Sequence, residues 1–311
     1  MIELIDTSSS AIAAEFLRAR RRAGSPAMGM VMTIVIVVNE EDAPPAMEAA
    51  AIASKEHPAR LLGVVLGNGR GAGQVDAQIQ IGAGTSGERA LIRLSGEVTR
   101  HAESVVLPLL LPDSPVVVWW PVKAPDDPAT DPLGRLAKRR ITDAAAMPTG
   151  KARAMLTQCH SYAPGNTDLA WTRITPWRAL LAAALDQHPG RVTAAAVAAE
   201  RISPSADLLS AWLADRLRVK VSRTSSAGPG ITCAVLTTKQ GDISITRSDG
   251  LLATLSSPGQ PDRPVALRRR GTAELLAEEL RRLDPDDIYA DTVRRLRRLS
   301  GTAAPKKTKG A

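Results

Sequence analysis

The segment best suited to chemistry is Gly67-Asn68-Gly69-Arg70-Gly71-Ala72, which matches G-x-G-x-x-G/A directly after an apolar run. Glycines at this spacing let a backbone approach a pyrophosphate, and a helix starting there would set its positive end against the phosphate charge. The pattern carries that meaning only when a helix follows. Here Gly73 leads into Gln74-Val75-Asp76-Ala77-Gln78-Ile79-Gln80-Ile81, whose period of two describes a strand. Residues 67–73 are therefore expected to form a hairpin loop, and no cofactor is expected. A nucleotide-binding regulatory protein or enzyme using this loop is the alternative.

Other chemistry is sparse. The histidines (His57, His101, His160, His188) are scattered, and Cys159-His160 has no second pair to complete a tetrahedral metal set. Cys159 is expected to be a buried thiol beside a surface histidine, and a redox role with Cys233 needs a proximity that spacing does not supply. Nucleophile-elbow, Walker A, H-E-x-x-H and kinase patterns do not occur. The paired acids Asp126-Asp127 and Asp286-Asp287 fit a polar loop and a first helical turn. Catalytic and metal-binding residues are accordingly not assigned.

Tryptophan is the unusual residue. Trp119 and Trp120 end an apolar strand, and alternation sends their indoles to opposite faces. Trp171 and Trp177 flank Thr172, Arg173 and Thr175, with Arg178 just beyond. Trp and Arg together are the residue types that anchor protein interfaces. Trp119, Trp120, Trp171, Thr172, Arg173, Thr175 and Arg178 are thus the expected partner-binding residues, whereas Trp177 and Trp212 have the spacing of helix core.

The elements that must position these groups alternate in type. Residues 30–38, 61–66, 75–81, 90–94 and 115–120 read as strands, with helices over 9–23 (ended by Gly24-Ser25-Pro26), 46–54, 97–110 and 133–139, and a last strand at 140–143. This predicts a Rossmann-like mixed open sheet with flanking helices over residues 1–155, its middle strands free to run antiparallel. Residues 156–299 predict a second α/β (α+β) domain. A helix from Thr175 and another capped by Ser203-Pro204 surround a strand at 191–199, and an antiparallel meander over 231–256 is followed by a strand at 265–269. Helices over 272–283 and 285–299 are expected to close this domain, with 300–311 as a disordered basic tail.

Of the 311 residues, 44% are hydrophobic but only 3% aromatic, so Ala, Val and Leu must build the core, as suits close helix–sheet packing. The longest apolar run, 30–38, is roughly half of what spans a membrane. The start, Met1 to Asp6, has no basic signal region, and two cysteines are too few for a disulfide scaffold, so a cytoplasmic location is expected. The net charge of +8 raises nucleic acid as a partner. The runs at 18–22, 268–270, 294–298 and 306–309 are mostly interleaved with acids and lack stacking aromatics, which favours solvated helix faces and a basic tail over a nucleic-acid-binding module.

Three stretches carry a resemblance: 107–121 (LPLLLPDSPVVVWWP), 168–178 (DLAWTRITPWR) and 276–286 (LAEELRRLDPD). Here the chain resembles the glucose-6-phosphate dehydrogenase assembly protein family (OpcA), and its length and Ala/Arg content look like the actinobacterial branch. The resemblance implies a non-catalytic protein with an N-terminal and a C-terminal family domain. Such a protein binds glucose-6-phosphate dehydrogenase, the entry enzyme of the oxidative pentose phosphate pathway, aids its oligomeric assembly and raises its activity. NADP and glucose 6-phosphate would belong to the partner. The assignment of contact residues comes from residue chemistry alone.

Overall fold

The computed structural model describes residues 1–23, 29–81 and 87–301. The expected helix stop at 24–26 and the tail at 302–311 lie outside them. The first elements are β1 (Ile2–Leu4), α1 (Ser9–Ala23), β2 (Met32–Val38), α2 (Ala43–Ala53), β3 (Ala59–Leu66), β4 (Gln74–Ile81) and β5 (Gly87–Ser95). After short 3-10 and α turns, among them α3 (Ala102–Val106), come β6 (Val116–Trp119), β7 (Arg139–Thr142), α4 (Lys151–His160) and β8 (Asn166–Asp168). Then follow α5 (Leu169–Thr172), α6 (Thr175–Gln187), β9 (Val192–Ala199), α7 (Pro204–Leu217) and strands β10 (Val221–Ser225), β11 (Ile231–Thr238), β12 (Gly241–Thr246), β13 (Leu252–Ser256) and β14 (Arg263–Ala266). Helices α8 (Thr272–Leu280) and α9 (Asp287–Ser300) end the described chain.

Contacts divide the chain into two units. The first contains residues 1–143, 165–167 and 271–285; the second contains 144–164, 168–270 and 286–311. This partition differs from the expected 1–155 and 156–299. Residue 155 falls inside α4, and α8, expected among the closing helices of the second domain, is part of the first unit.

The first unit is the expected Rossmann-like sheet, eight strands in the order β1-β4-β5-β3-β2-β6-β7-β8. Strands β5, β3, β2, β6 and β7 are parallel neighbours, while at one edge β4 runs antiparallel to β5 and β1 antiparallel to β4. All seven residues of β2 are buried, as expected for a strand covered on both faces. On one face Ile12 and Phe16 of α1, with Val105, Val106 and Leu109, pack over Val35, Leu62, Ile92 and Val118. Helix α2 covers the opposite face. A Cβ at Gly63 would come within 2.7 Å of the Met47 sulfur, so the missing side chain lets α2 lie close. The helix expected over 97–110 is broken into 3-10 turns around five α-helical residues.

The second unit carries a six-stranded sheet, β10-β9-β11-β12-β13-β14, parallel only at β9–β10. The expected meander is present as β11–β12–β13–β14. Alternating burial along β9 and β11 leaves one face half-exposed. The other face holds Val197, Leu236, Ile243 and Ile245 against Trp171, Trp177 and Leu181 and the α7 residues Leu208 and Leu209. As expected, Ser203 caps α7 by accepting from the Ala206 N–H at 3.4 Å, and Pro204 takes the first position.

Candidate functional site

The 67–73 loop joins β3 to β4, so a strand follows the glycine motif, as its alternation predicted, but the loop is not the expected hairpin, because β5 lies between β3 and β4 in the sheet. The loop's carbonyls are turned to structural use. Asn68 accepts from Gly96 N–H at 2.7 Å and Gly71 accepts from Glu97 N–H at 3.2 Å. Gly96 has φ +64, and a Cβ there would lie 1.9 Å from the Ala72 oxygen, so the loop is clamped against this turn. The place where a Rossmann-type sheet would seat a phosphate is the turn from β2 into α2. That turn is Asn39-Glu40-Glu41-Asp42, with carboxylates in place of glycines. Glu40 takes a two-pronged bond from Arg93 (2.7–3.0 Å), and this bond holds its pKa below the ordinary value.

A cavity of about 280 Å³ opens at the carboxyl ends of β2 and β6, lined by Asn39, Asp42, Trp120, Lys123 and Asp131. Burial raises the Asp131 pKa, opposed by the Gly134 and Leu133 N–H groups that donate to its carboxylate at 3.1 and 3.0 Å.

The expected contact residues fall in both units. In the first, Trp119 and Trp120 are 1% and 2% exposed. Trp120 joins the core cluster beside Val118 and Leu133, and its backbone N–H donates to the Ile141 oxygen at 2.9 Å. In the second, Asp168 is wholly buried and ties the segment down, accepting from the N–H of Ala170 (2.8 Å) and of Ala144 (2.9 Å). Trp171 is 2% exposed; its indole donates to Asp286 at 2.9 Å and its ring lies 5.5 Å from that of Tyr289. The Arg178 guanidinium lies 3.6 Å from the Trp171 ring centroid, a close cation–π contact, and donates to Thr175 Oγ1 at 3.1 Å. Thr172 is buried, while Arg173, Thr175 and Arg178 are half-buried. The structure therefore brings Trp171, Thr175 and Arg178 together and places all three indoles in cores of the free chain, not on its surface. Trp177 is core as expected, and Trp212 is partly buried.

Sequence reasoning missed a cavity of about 230 Å³ in the second unit, onto which Arg173 opens together with Arg247 and the run Arg268–Arg269–Arg270. That run follows β14 and precedes α8, so it lies on no helix face, and two of the three arginines are exposed. The available signal was its position: three cations just after a strand, before a Gly271 that starts a helix.

Cys159 is fully buried, and burial, with Asp168 adding, pushes its thiol well above the ordinary pKa. Cys233 is half-buried on β11. Thiolate is the reactive form, so a disulfide reagent such as DTNB should titrate Cys233 in the native protein and reach Cys159 only on unfolding. Release of two equivalents at equal rates from folded protein would contradict this. Among the described residues no group of three His, Cys, Asp or Glu is placed to hold a metal, and no helix is long and apolar enough to cross a membrane.

Fold and sites together define a two-unit α/β protein whose nucleotide-like motif is clamped as a turn. The N-terminal domain of the glucose-6-phosphate dehydrogenase subunit family matches residues 50–160, and its C-terminal domain matches residues 164–293. The chain belongs to this glucose-6-phosphate dehydrogenase assembly family, OpcA, whose names describe an assembly subunit rather than a catalyst. None of the curated proteins matches. Among solved structures, the 3-ketoreductase KijD10 of Actinomadura kijaniata is 11% identical over 86% of this chain and 96% of its own (TM-score 0.45). An oxidoreductase of Sinorhizobium meliloti is 9% identical over 86% and 95% (TM-score 0.46). D-galactose-1-dehydrogenase of Rhizobium etli is 11% identical over 87% and 94% (TM-score 0.42).

Proposed function

We propose that this chain is a non-catalytic assembly factor and allosteric activator that binds glucose-6-phosphate dehydrogenase and favours its active oligomer in the cytoplasm. The observation that carries the reading is the pair of family matches, which together run from residue 50 to 293 and take in both units. The acidic β2–α2 turn and the clamped 67–73 loop support the non-catalytic part, since each removes a place where a dinucleotide phosphate would sit. Activation needs only differential affinity. A protein that binds the competent oligomer more tightly than the incompetent one shifts the population, and a tenfold shift requires about 1.4 kcal/mol.

In this reading the buried indoles act from beneath. Trp171 holds Arg178 in place, and the half-buried Arg173, Thr175 and Arg178 meet the partner. Mixing the chain with its cognate dehydrogenase should give co-elution and a higher reaction velocity. Arg173→Ala should weaken association at an unchanged melting temperature, whereas Trp120→Ala should lower the melting temperature. Separate elution together with an unchanged velocity at every substrate level would overturn the proposal.

A further inference from the structure

The basic cavity of the second unit, Arg173 apart, is the feature that association with an enzyme leaves unexplained. Six residues with cationic side chains line it, Lys151, Arg173, Arg247, Arg268, Arg269 and Arg270, against one with a carboxylate, Glu200. Like charges gathered in a concave site repel one another and raise the local potential for anions. The arrangement is held from the backbone. The Arg247 N–H donates to the Thr232 oxygen at 2.7 Å, the Arg269 N–H to the Gly250 oxygen at 3.0 Å, and the Arg270 guanidinium to the Thr172 oxygen.

Arg247 forms part of the wall and is only 6% exposed. Its guanidinium donates to two carbonyls, those of Leu267 (2.8 Å) and Ile231 (3.0 Å), and lies 5.1 Å from the Trp177 ring centroid. Its Nε is buried with no acceptor. Burial holds its pKa below the ordinary arginine value, with Arg269 adding to the effect and Asp249 opposing it. Carbonyls and the Asp249 carboxylate compensate this buried cation only in part, and a further charged acceptor within reach would add to them.

Two helices also begin at this cavity. The Ser203-Pro204-Ser205 start of α7 and the Ile174 and Pro176 start of α6 both line it. Ile174 has no side-chain oxygen with which to cap α6. Pro204 and Pro176 carry no N–H and Ser203 already accepts from Ala206, so what these helix starts add is mainly the partial positive charge of their N-terminal ends. At about 230 Å³ the space is smaller than the roughly 300–1,000 Å³ of pockets that take drug-sized ligands. A compact ligand with at least two negative charges matches both its size and its charge.

We propose that this cavity binds a small phosphate monoester, with Arg247 as the buried anchor and Lys151, Arg173 and Arg269 closing on the phosphate from the rim. The proposal concerns the chain alone and does not depend on the identity of its protein partner. The 311-residue chain should be titrated calorimetrically in low-salt chloride buffer with inorganic phosphate, glycerol 3-phosphate and, as uncharged control, glycerol. Saturable one-to-one binding of both phosphates, and none of glycerol, is expected. The double variant Lys151→Gln/Arg269→Gln, which alters a half-buried and an exposed side chain, should raise Kd at least tenfold at an unchanged melting temperature. Arg191→Gln, an exposed arginine away from the cavity, should leave Kd within twofold. Absence of saturable binding at millimolar phosphate would overturn the proposal. So would binding that survives the double substitution, or that falls equally with Arg191→Gln.

Discussion

Glu279→Ala should destabilise the first unit by about 3–5 kcal/mol, the range for leaving one member of a buried ion pair alone. Glu279 is 7% exposed and Arg139 3%. Arg139 Nη2 donates to the Glu279 carboxylate at 2.5 Å, and Nη1 to the Asp284 carbonyl at 2.9 Å. Arg139 lies on β7 and Glu279 on α8, so the pair fastens a helix late in the chain to a sheet built mostly from its first half. Two exposed pairs nearby, Lys138–Asp284 (3.0 Å) and Arg281–Glu56 (2.8 Å), are each worth little. Urea unfolding would register the loss as a lower midpoint of the first unit. The double variant Arg139→Met/Glu279→Leu should recover most of it, because a matched apolar pair removes the stranded charge. A single variant as stable as the parent would mean that α8 is not fastened by this pair.

Trp171→Ala should cost the second unit a similar amount, about 3–5 kcal/mol, because a buried indole leaves a large cavity. Three attachments are lost with it: the bond to Asp286, the contact with the Tyr289 ring and the platform under Arg178. Asp286 also caps α9 by accepting from the Tyr289 N–H at 3.0 Å, so its carboxylate serves both partners. Trp171→Phe should fall between the two, keeping most of the packing while stranding one Asp286 oxygen. Thermal unfolding followed by circular dichroism would rank the three proteins. A Trp171→Ala protein that melts with the parent would place the indole outside the core.

Local pattern carried most of the elements. The apolar run that became β2, the Ser203-Pro204 cap and the meander turns each rest on neighbours within a few residues, and sequence periodicity reports those interactions directly. What was hidden depends on distant partners. Helix α8 was legible as a helix, but it packs against α2 and bonds to Arg139, both far away in sequence, and Glu279 looked like one more solvated acid. Strand β10 (VSRTS) is a mostly polar edge strand that pairs, among the described residues, with β9 alone, so it had no apolar signature to read. The tryptophans show the same limit in the candidate site. Residue chemistry marked Trp119, Trp120 and Trp171 as anchors, but whether an indole faces a partner or its own core is settled by tertiary packing. The basic cavity was overlooked because Arg247 and the 268–270 run meet only once β12 and the segment after β14 are folded.

The central claim, that the chain acts by favouring an active assembly of glucose-6-phosphate dehydrogenase, is tested most directly by sedimentation velocity. The dehydrogenase would be sedimented at fixed concentration with increasing amounts of this chain, and its activity read on the same samples. The account predicts a saturable shift of the dehydrogenase to a larger species that contains this chain, with activity rising in step. An unchanged sedimentation profile and unchanged activity at a saturating excess of the chain would contradict it.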